Sequence, residues 1–324
     1  MYANRKLSLY IYLTGSYLKF LVLGKCLEFP RIVQIQTQSF CNGSCSICPY
    51  PAVSKELDQG EMEWELFMKI INESARESLL SQFLLELHNE PLLDTEIFER
   101  IKYIKSISPD KSCVVITNGE LLDSYRLEDI AQSNLDKLII SLNAYSKEIY
   151  QTTNNGLNYE KVFKNVSRLL SNPSMRHKVT LAFVLTKQNE HDVYKAVQYW
   201  TEKGIKTRVT GLTNRAGTLN NFQKISLDND HNGNPLFSRV WRRMMSAVRG
   251  LTGCELLFKN LCILFNGDVI ICCHDWKRAT VVGNVRLSSL KDIWNSPETN
   301  ALRKLIVRKR YKNIQSCRDC SIVA

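Results

Sequence analysis

Between residues 31 and 210, five short apolar runs each give way to a stretch of helical periodicity, and a sixth apolar run closes the series. The strand-like runs are Arg31–Gln36, Phe83–Leu87, Cys113–Ile116, Lys137–Leu142, Lys178–Leu185 and Lys206–Thr210. Met62–Glu73, Thr95–Ile104, Ser124–Ala131, Tyr159–Leu170 and Asp192–Lys203 read as the intervening helices. On the first of them Met62, Leu66, Phe67, Ile70 and Ile71 form an apolar stripe. Such β-α alternation builds a parallel sheet covered by helices, wound in one direction by right-handed crossovers. Six strands are too few to close an eight-stranded barrel, so the expectation is an α/β fold with a curved, partly open (β/α)6 barrel. Chemistry in such sheets gathers where strands run into their following loops.

After Arg215 the pattern changes. Asn220–Pro235 is polar, rich in Asn and Asp, and broken by Gly233 and Pro235, which marks a linker. A helix over Phe237–Val248, a hairpin turning at Asn266-Gly267, and helices over Leu287–Asn295 and Glu298–Val307 follow. At the other end, Leu9, Leu13, Tyr17 and Leu21 recur every four residues and predict an amphipathic helix. No segment offers the ~20 consecutive apolar residues of a membrane span. The expected organisation is an N-terminal helical extension over 1–30, the barrel over 31–220, and a linker with a small domain over 221–324, in a cytoplasmic protein.

Eleven cysteines fall mainly into groups, a C-x3-C-x2-C run at Cys41, Cys45 and Cys48 and a terminal C-x2-C at Cys317 and Cys320. Grouping of this kind favours metal or cluster ligation in a reducing compartment over a disulfide scaffold. The formal net charge is +11, and two thiolate-held clusters would lower it to roughly +8. Arg239, Arg242, Arg243, Arg249, Arg303, Lys304, Arg308, Lys309, Arg310 and Lys312 carry much of the excess. Such a patch suits an acidic electron donor such as flavodoxin or ferredoxin, an acidic substrate or nucleic acid; it suits equally a solvated helix face.

The triplet directly follows the first strand. Three thiolates can hold three corners of a four-iron cluster and leave the fourth iron open, although zinc ligation on a turn uses the same residues. Later strand ends carry His88-Asn89-Glu90-Pro91, Thr117-Asn118-Gly119 and Ser141-Leu142-Asn143. This series resembles the radical S-adenosylmethionine (radical SAM) enzymes over about residues 31–215. The resemblance implies that Cys41, Cys45 and Cys48 hold a [4Fe–4S] cluster whose open iron is chelated by SAM. One electron then cleaves SAM to methionine and a 5′-deoxyadenosyl radical. Ile47 falls where the family often has an aromatic residue near the adenine, keeping apolar contact without ring stacking. Asn89-Glu90-Pro91 falls at the family's Gly-Gly-Glu-Pro motif, which makes Glu90 the partner of the SAM ammonium and puts Asn89 in place of a glycine. Glu90 is otherwise a carboxylate preceding the Thr95 turn. Ser141 and Asn143 are placed to reach the SAM ribose or carboxylate, and Thr117 and Asn118 support the ligand site or cap the next segment.

Cys254, Gly267, Cys272, Gly283-Asn284, Leu290–Trp294 and Cys317-Arg318-Asp319-Cys320 form a second series. It resembles the SPASM/twitch extensions of the same family, and implies that Cys254, Cys272, Cys317 and Cys320 close one auxiliary [4Fe–4S] cluster. A tetrahedral zinc site has the same donors. The implied fold is therefore a partial (β/α)6 TIM-like barrel followed by a small α+β twitch/SPASM-like iron–sulfur domain. Cys113 and Cys262 lie on strands, as buried small hydrophobes do, and Cys26 has no evident role. Cys273 follows a cluster ligand directly and is a candidate hydrogen-atom donor, as in radical epimerases; His274 and Asp275 are candidates for substrate contact.

The implied activity is hydrogen-atom abstraction from a natural-product substrate, dehydrogenating or epimerising an amino-sugar or aminocyclitol. The alternatives are a maturase that epimerises or crosslinks a ribosomally made peptide, an RNA-modifying radical SAM enzyme, and a zinc-stabilised nucleic-acid-binding protein. Nucleic acid is the less favoured partner.

Overall fold

The computed structural model describes residues 15–17, 19–125, 127–227 and 253–323. Six parallel strands run β1 (Ile32–Ile35), β2 (Gln82–Leu85), β3 (Ser112–Thr117), β4 (Lys137–Ser141), β5 (Val179–Leu185) and β6 (Lys206–Gly211). Within this set the strands pair in sequence order, from β1 against β2 through β5 against β6. That order is what successive right-handed crossovers generate. Both faces of the central strands are buried: Val114 and Val115 on β3, Ile139 and Ile140 on β4. Helices Trp64–Ala75, Ile97–Ile107, Tyr159–Ser171 and Glu190–Glu202 lie between the strands and bury Phe67, Ile101, Val166 and Ala196. Arg100 is a charged residue inside this layer; its Nε donates to Asp94 at 2.9 Å, its Nη2 to the Met62 carbonyl, and its guanidinium stacks over Trp64.

The sheet does not stop at β1. A further strand, β7 (Asn260–Ile263), pairs parallel with β1, matching Ile32 to Asn260 and Ile35 to Ile263. β8 (Asp268–Ile270) and β9 (Val281–Asn284) then add antiparallel, giving a nine-stranded sheet in the order β6-β5-β4-β3-β2-β1-β7-β8-β9. The hairpin turns at Asn266-Gly267 as its sequence predicts, with Gly267 at φ 94°. Helices Leu290–Asn295 and Pro297–Val307 cover this end.

Several expectations change. Thr95–Ile104 and Ser124–Ala131 start late, at Ile97 and Leu127, because 3-10 turns at Pro91–Leu93 and Glu120–Ser124 take the chain out of the strand ends. The polar helix Lys147–Thr153 and strand β9 appear where no periodicity pointed to them, and Phe222–Ile225 forms a helical turn inside the expected linker. Near the N-terminus the inward residue is Phe20, packed edge-on against Phe258 at 5.6 Å, while Leu21 faces solvent. Leu9, Leu13, the helix over Phe237–Val248, and Arg239, Arg242, Arg243 and Arg249 lie outside the described residues. Arg303 leaves the basic patch altogether. It is fully buried, its Nε and Nη1 donating to the Leu257 and Trp294 carbonyls, its guanidinium 4.1 Å from the Trp294 ring. Lys304, Arg308, Lys309, Arg310 and Lys312 remain exposed. No helix among the described residues is long and apolar enough to cross a membrane.

Candidate active site

The cysteine triplet sits at the C-terminal end of β1, and neighbouring strand-end loops hold its backbone. Ser44 N donates to Asn155 O at 2.7 Å and Ser46 N to Thr153 O at 3.0 Å. Cys41 N donates to the Tyr50 hydroxyl at 2.9 Å, and Tyr50 N points at Cys48 Sγ at 3.5 Å. Asn42 joins the loop to β3's exit, its amide donating to Glu120 Oε2 at 2.6 Å and its carbonyl oxygen accepting from Asn118 Nδ2 at 2.8 Å. Gly156 is required here: its φ is 81°, and an added Cβ would lie 2.9 Å from Ser44 Oγ.

Burial pushes the Cys41 thiol up to about 12 and raises Cys45 and Cys48 as well, with Cys48 adding to the rise at Cys41 and both adding to that at Cys45. Thiolates in such a place need a bound cation, so the donor chemistry fits an iron–sulfur cluster. Cys254, Cys272, Cys317 and Cys320 also come together. Burial pushes Cys254 to about 11 and Cys317 to about 12, and Cys254 interacts electrostatically with Cys272, Cys317 and Cys320. Among the described residues no three His, Cys, Asp or Glu side chains converge closely enough to hold a single metal ion.

Glu90 lies at the end of β2, 2% exposed. Its Oε1 accepts from Thr117 Oγ1 at 2.6 Å and Leu92 N at 3.0 Å, and its Oε2 from Asn118 N at 2.7 Å. Burial nevertheless raises its pKa to about 7, against the lowering effect of these donors. It caps the Pro91–Leu93 turn and also bridges to the end of β3 through Thr117 and Asn118. Asn89 Oδ1 accepts from Leu87 N, while its buried Nδ2 has no partner among the described residues.

The remaining predicted residues divide. Thr117 is spent on Glu90 and Gly119, and the Asn118 side chain on Asn42 and Glu120. Asn143, buried at φ 57°, donates to Asn154 Oδ1 and accepts from Val184 N, tying the ends of β4 and β5 together. Ser141 is half-buried at the last position of β4, and Ile47 is buried beside the triplet. Cys272 packs against the main core, whereas Cys273 joins the small cluster of Leu87, Cys262, Leu264 and Ile270. Cys273 Sγ is 3.6 Å from His274 Nδ1, and burial pushes its thiol to about 11.

Three residues without a sequence signal stand beside Cys273. His88, at φ 60°, contacts the Cys273 carbonyl through Nε2 at 2.9 Å and stacks on Trp276 at 4.1 Å. Burial drives its pKa down to about 3, so the ring is neutral. Glu86, raised by burial, and Arg215 complete the group. Isolated polar residues of this kind look like any others in a sequence; the His-Asn-Glu-Pro run alone drew attention to its first member.

The radical SAM superfamily model matches residues 35–207, and the SPASM iron–sulfur cluster-binding domain matches 254–321. The chain belongs to the radical SAM superfamily. It is a radical SAM enzyme with a SAM-binding [4Fe–4S] cluster and a C-terminal domain for auxiliary iron–sulfur binding. It is similar to the S-adenosyl-L-methionine-dependent 2-deoxy-scyllo-inosamine dehydrogenase of Niallia circulans, at 20% identity over 90% of this chain and 93% of the relative. The tungsten-containing aldehyde ferredoxin oxidoreductase cofactor-modifying protein of Pyrococcus furiosus is 22% identical over 90% of this chain and 87% of its own length. Among solved structures, BtrN in complex with AdoMet and 2-DOIA superposes with a TM-score of 0.62 at 17% identity, covering 90% of this chain and 93% of BtrN. Streptococcus suis SuiB bound to its precursor peptide SuiA gives 0.66 at 16% identity, over 94% of this chain and 72% of SuiB.

Proposed function

We propose that this radical SAM enzyme dehydrogenates a small polyhydroxylated amine of the aminocyclitol or amino-sugar class, with electrons exchanged with an acidic carrier such as flavodoxin or ferredoxin. The observation that carries the reading is the second cysteine set: Cys254 interacts electrostatically with Cys272, Cys317 and Cys320, at the end of a sheet continuous with the barrel. The full-length similarity to an aminocyclitol dehydrogenase supports the substrate class.

Cys41, Cys45 and Cys48 would hold the cluster that binds SAM, and Cys254, Cys272, Cys317 and Cys320 one auxiliary cluster. When bound, the first supplies hydrogen-atom abstraction through SAM, and the second a site for the electron that a two-electron oxidation releases. Glu90 has three chain donors on its carboxylate, which leaves acceptor capacity for the SAM ammonium. Thr117 and Asn118 fix that carboxylate, and the orphaned Asn89 Nδ2 supplies a donor beside it. Ile47 offers apolar surface to the adenine and Ser141 a hydroxyl to the ribose or carboxylate, with Asn143 bracing the loop from which they are reached. The exposed Lys304, Arg308, Lys309, Arg310 and Lys312 sit just before Cys317 and suit an acidic electron carrier. A second reading is epimerisation, favoured by Cys273: its half-buried thiol lies on the Glu86 and Arg215 side and could return a hydrogen atom.

Anaerobic reconstitution should give about eight irons per chain, from two four-iron clusters, and dithionite with SAM should release 5′-deoxyadenosine. Replacing Cys41, Cys45 and Cys48 together by Ala should leave about four irons and no 5′-deoxyadenosine. Continued SAM cleavage by that variant would refute the assignment.

A further inference from the structure

Glu86 and Arg215 both act electrostatically on Cys48 of the first cysteine set and on Cys273, the neighbour of Cys272 in the second. Arg215 stabilises the charged forms of Cys48 in the first set and of Cys273, next to Cys272 in the second, and opposes charging of His88 and His274. Glu86 acts on Cys41, Cys48 and Cys273. The two attract one another, yet no direct ion pair joins them among the described residues. The carboxylate of Glu86 accepts from the His88 backbone N–H and, at 3.4 Å, from Gln34 Nε2, an amide whose shorter bond of 2.7 Å goes to the Glu86 backbone carbonyl; two donors leave acceptor capacity on it.

Around the pair, buried polar atoms are left over. Arg215 Nε, His88 Nδ1, Trp276 Nε1 and Thr213 Oγ1 have no hydrogen-bond partner among the described residues. His88 is 5% exposed. Buried polar groups are rarely left unpaired, so such atoms are ones a polar ligand would engage. The backbone beneath Arg215 is also unusual. Arg215, Ala216 and Gly217 follow one another at φ 50°, 55° and 79°, and strain of this kind collects at functional sites. Asn214 bolts that turn to the terminal cysteine loop, with its N and Oδ1 bonded to Ser321 and its Nδ2 to Asp319 O.

We infer that Glu86 and Arg215 are the specificity-determining pair for the substrate, Glu86 accepting from the ammonium of a small polyhydroxylated amine and Arg215 donating to one of its hydroxyl oxygens. The inference rests on the small-molecule reading above and adds the residues that select the amine. Neutral His88, stacked on Trp276, presents Nδ1 to a further hydroxyl without competing for Glu86. Charge-assisted hydrogen bonds supply the discrimination, because an uncharged acceptor in place of Glu86 loses the attraction for an ammonium while keeping the side chain's size.

The test is anaerobic calorimetric titration of the iron-loaded, SAM-bound enzyme with 2-deoxy-scyllo-inosamine and with scyllo-inositol, a cyclitol that has no amine. The wild type should prefer the amine. Glu86→Gln should weaken amine binding about 10- to 100-fold and leave scyllo-inositol little changed, so that the preference collapses. Arg215→Lys should weaken both, and Glu86→Asp should weaken both while keeping the preference. Iron content and the SAM-induced change in the electron paramagnetic resonance signal report whether each variant is assembled. Should Glu86→Gln fail to assemble, Glu86→Asp and Arg215→Lys decide: wild-type affinities in both overturn the pair. A wild type with no amine preference overturns the chemical class. Loss of 5′-deoxyadenosine formation in the wild type would instead strike the enzyme reading, and amine-selective binding would still uphold the pair.

Discussion

The Glu90 carboxylate accepts from Leu92, Thr117 and Asn118, so its proton is coupled to the geometry of two strand ends. Burial raises its pKa to about 7. The native chain therefore binds this proton at a pH where the unfolded chain has released it. Apo-protein stability should fall as pH rises from the ordinary carboxylate range to about 7 and then level off. A SAM ammonium on Glu90 prefers the charged form, so SAM affinity of the iron-loaded enzyme should rise between about pH 6 and 8. Calorimetry in buffers of different ionisation enthalpy should show the proton released; a flat profile would remove Glu90 from the ammonium. Glu90→Gln should abolish the profile and add strain, because an amide in place of Oε2 would face the Asn118 N–H donor to donor. Residues like Glu90 were legible because they sit in a spaced motif at a strand end. Glu86 and Arg215 were not: a single charge on a strand or in a turn carries no periodicity. Arg303 misled in the opposite sense, because a basic residue within a basic run gives no hint that Leu257 and Trp294 carbonyls enclose it.

At the scale of elements, legibility followed burial. β3, β4 and β5 are covered on both faces, so selection for apolar, β-branched residues left continuous runs such as Cys-Val-Val-Ile and Lys-Leu-Ile-Ile. Helix Lys147–Thr153 is mostly polar, and β9 has four residues including a glycine; tertiary contacts rather than local pattern create both. The Asn214 turn belongs to this second kind. Its three bonds to Asp319 and Ser321 tie β6's exit directly to the terminal cysteine loop. Asn214→Ala keeps the backbone donor and loses two side-chain bonds, at about 1–3 kcal/mol. Thermal unfolding should shift down accordingly. On dilution with a chelator, auxiliary iron should leave before the iron of the triplet, with the two pools separated by redox titration. Equal loss from both sites would show that the turn braces nothing specific. Gly217→Ala should act in the same direction more strongly, since its φ is 79° and a Cβ would lie 2.8 Å from Asp319 Cβ.

For the molecule as a whole, the sheet continues across the place where the sequence changes character. β1 is an interior strand, flanked by β2 and β7, and its residues Val33 and Ile35 are fully buried. The segment before β1 closes onto the far end of the chain as well, with Trp294 Nε1 donating to Leu27 O and Asn295 Nδ2 to Glu28 O. A polar linker by sequence therefore joins two stretches that share one sheet and one core. Ending the chain after residue 227 would strip β7 from β1 and expose an apolar strand edge, the kind of surface that pairs between molecules. Removing Phe258, Leu261, Ile263 and Trp294 alone forfeits roughly 6–12 kcal/mol of apolar burial, comparable with the net stability of about 5–15 kcal/mol of a whole domain. Such a truncated chain should aggregate and load no iron on Cys41, Cys45 and Cys48, although all three cysteines are present. Size-exclusion chromatography with iron analysis checks this. A soluble monomer carrying about four irons would show that the barrel and the cysteine-rich end fold independently, and that the β1–β7 pairing is a docking contact rather than part of one cooperative sheet.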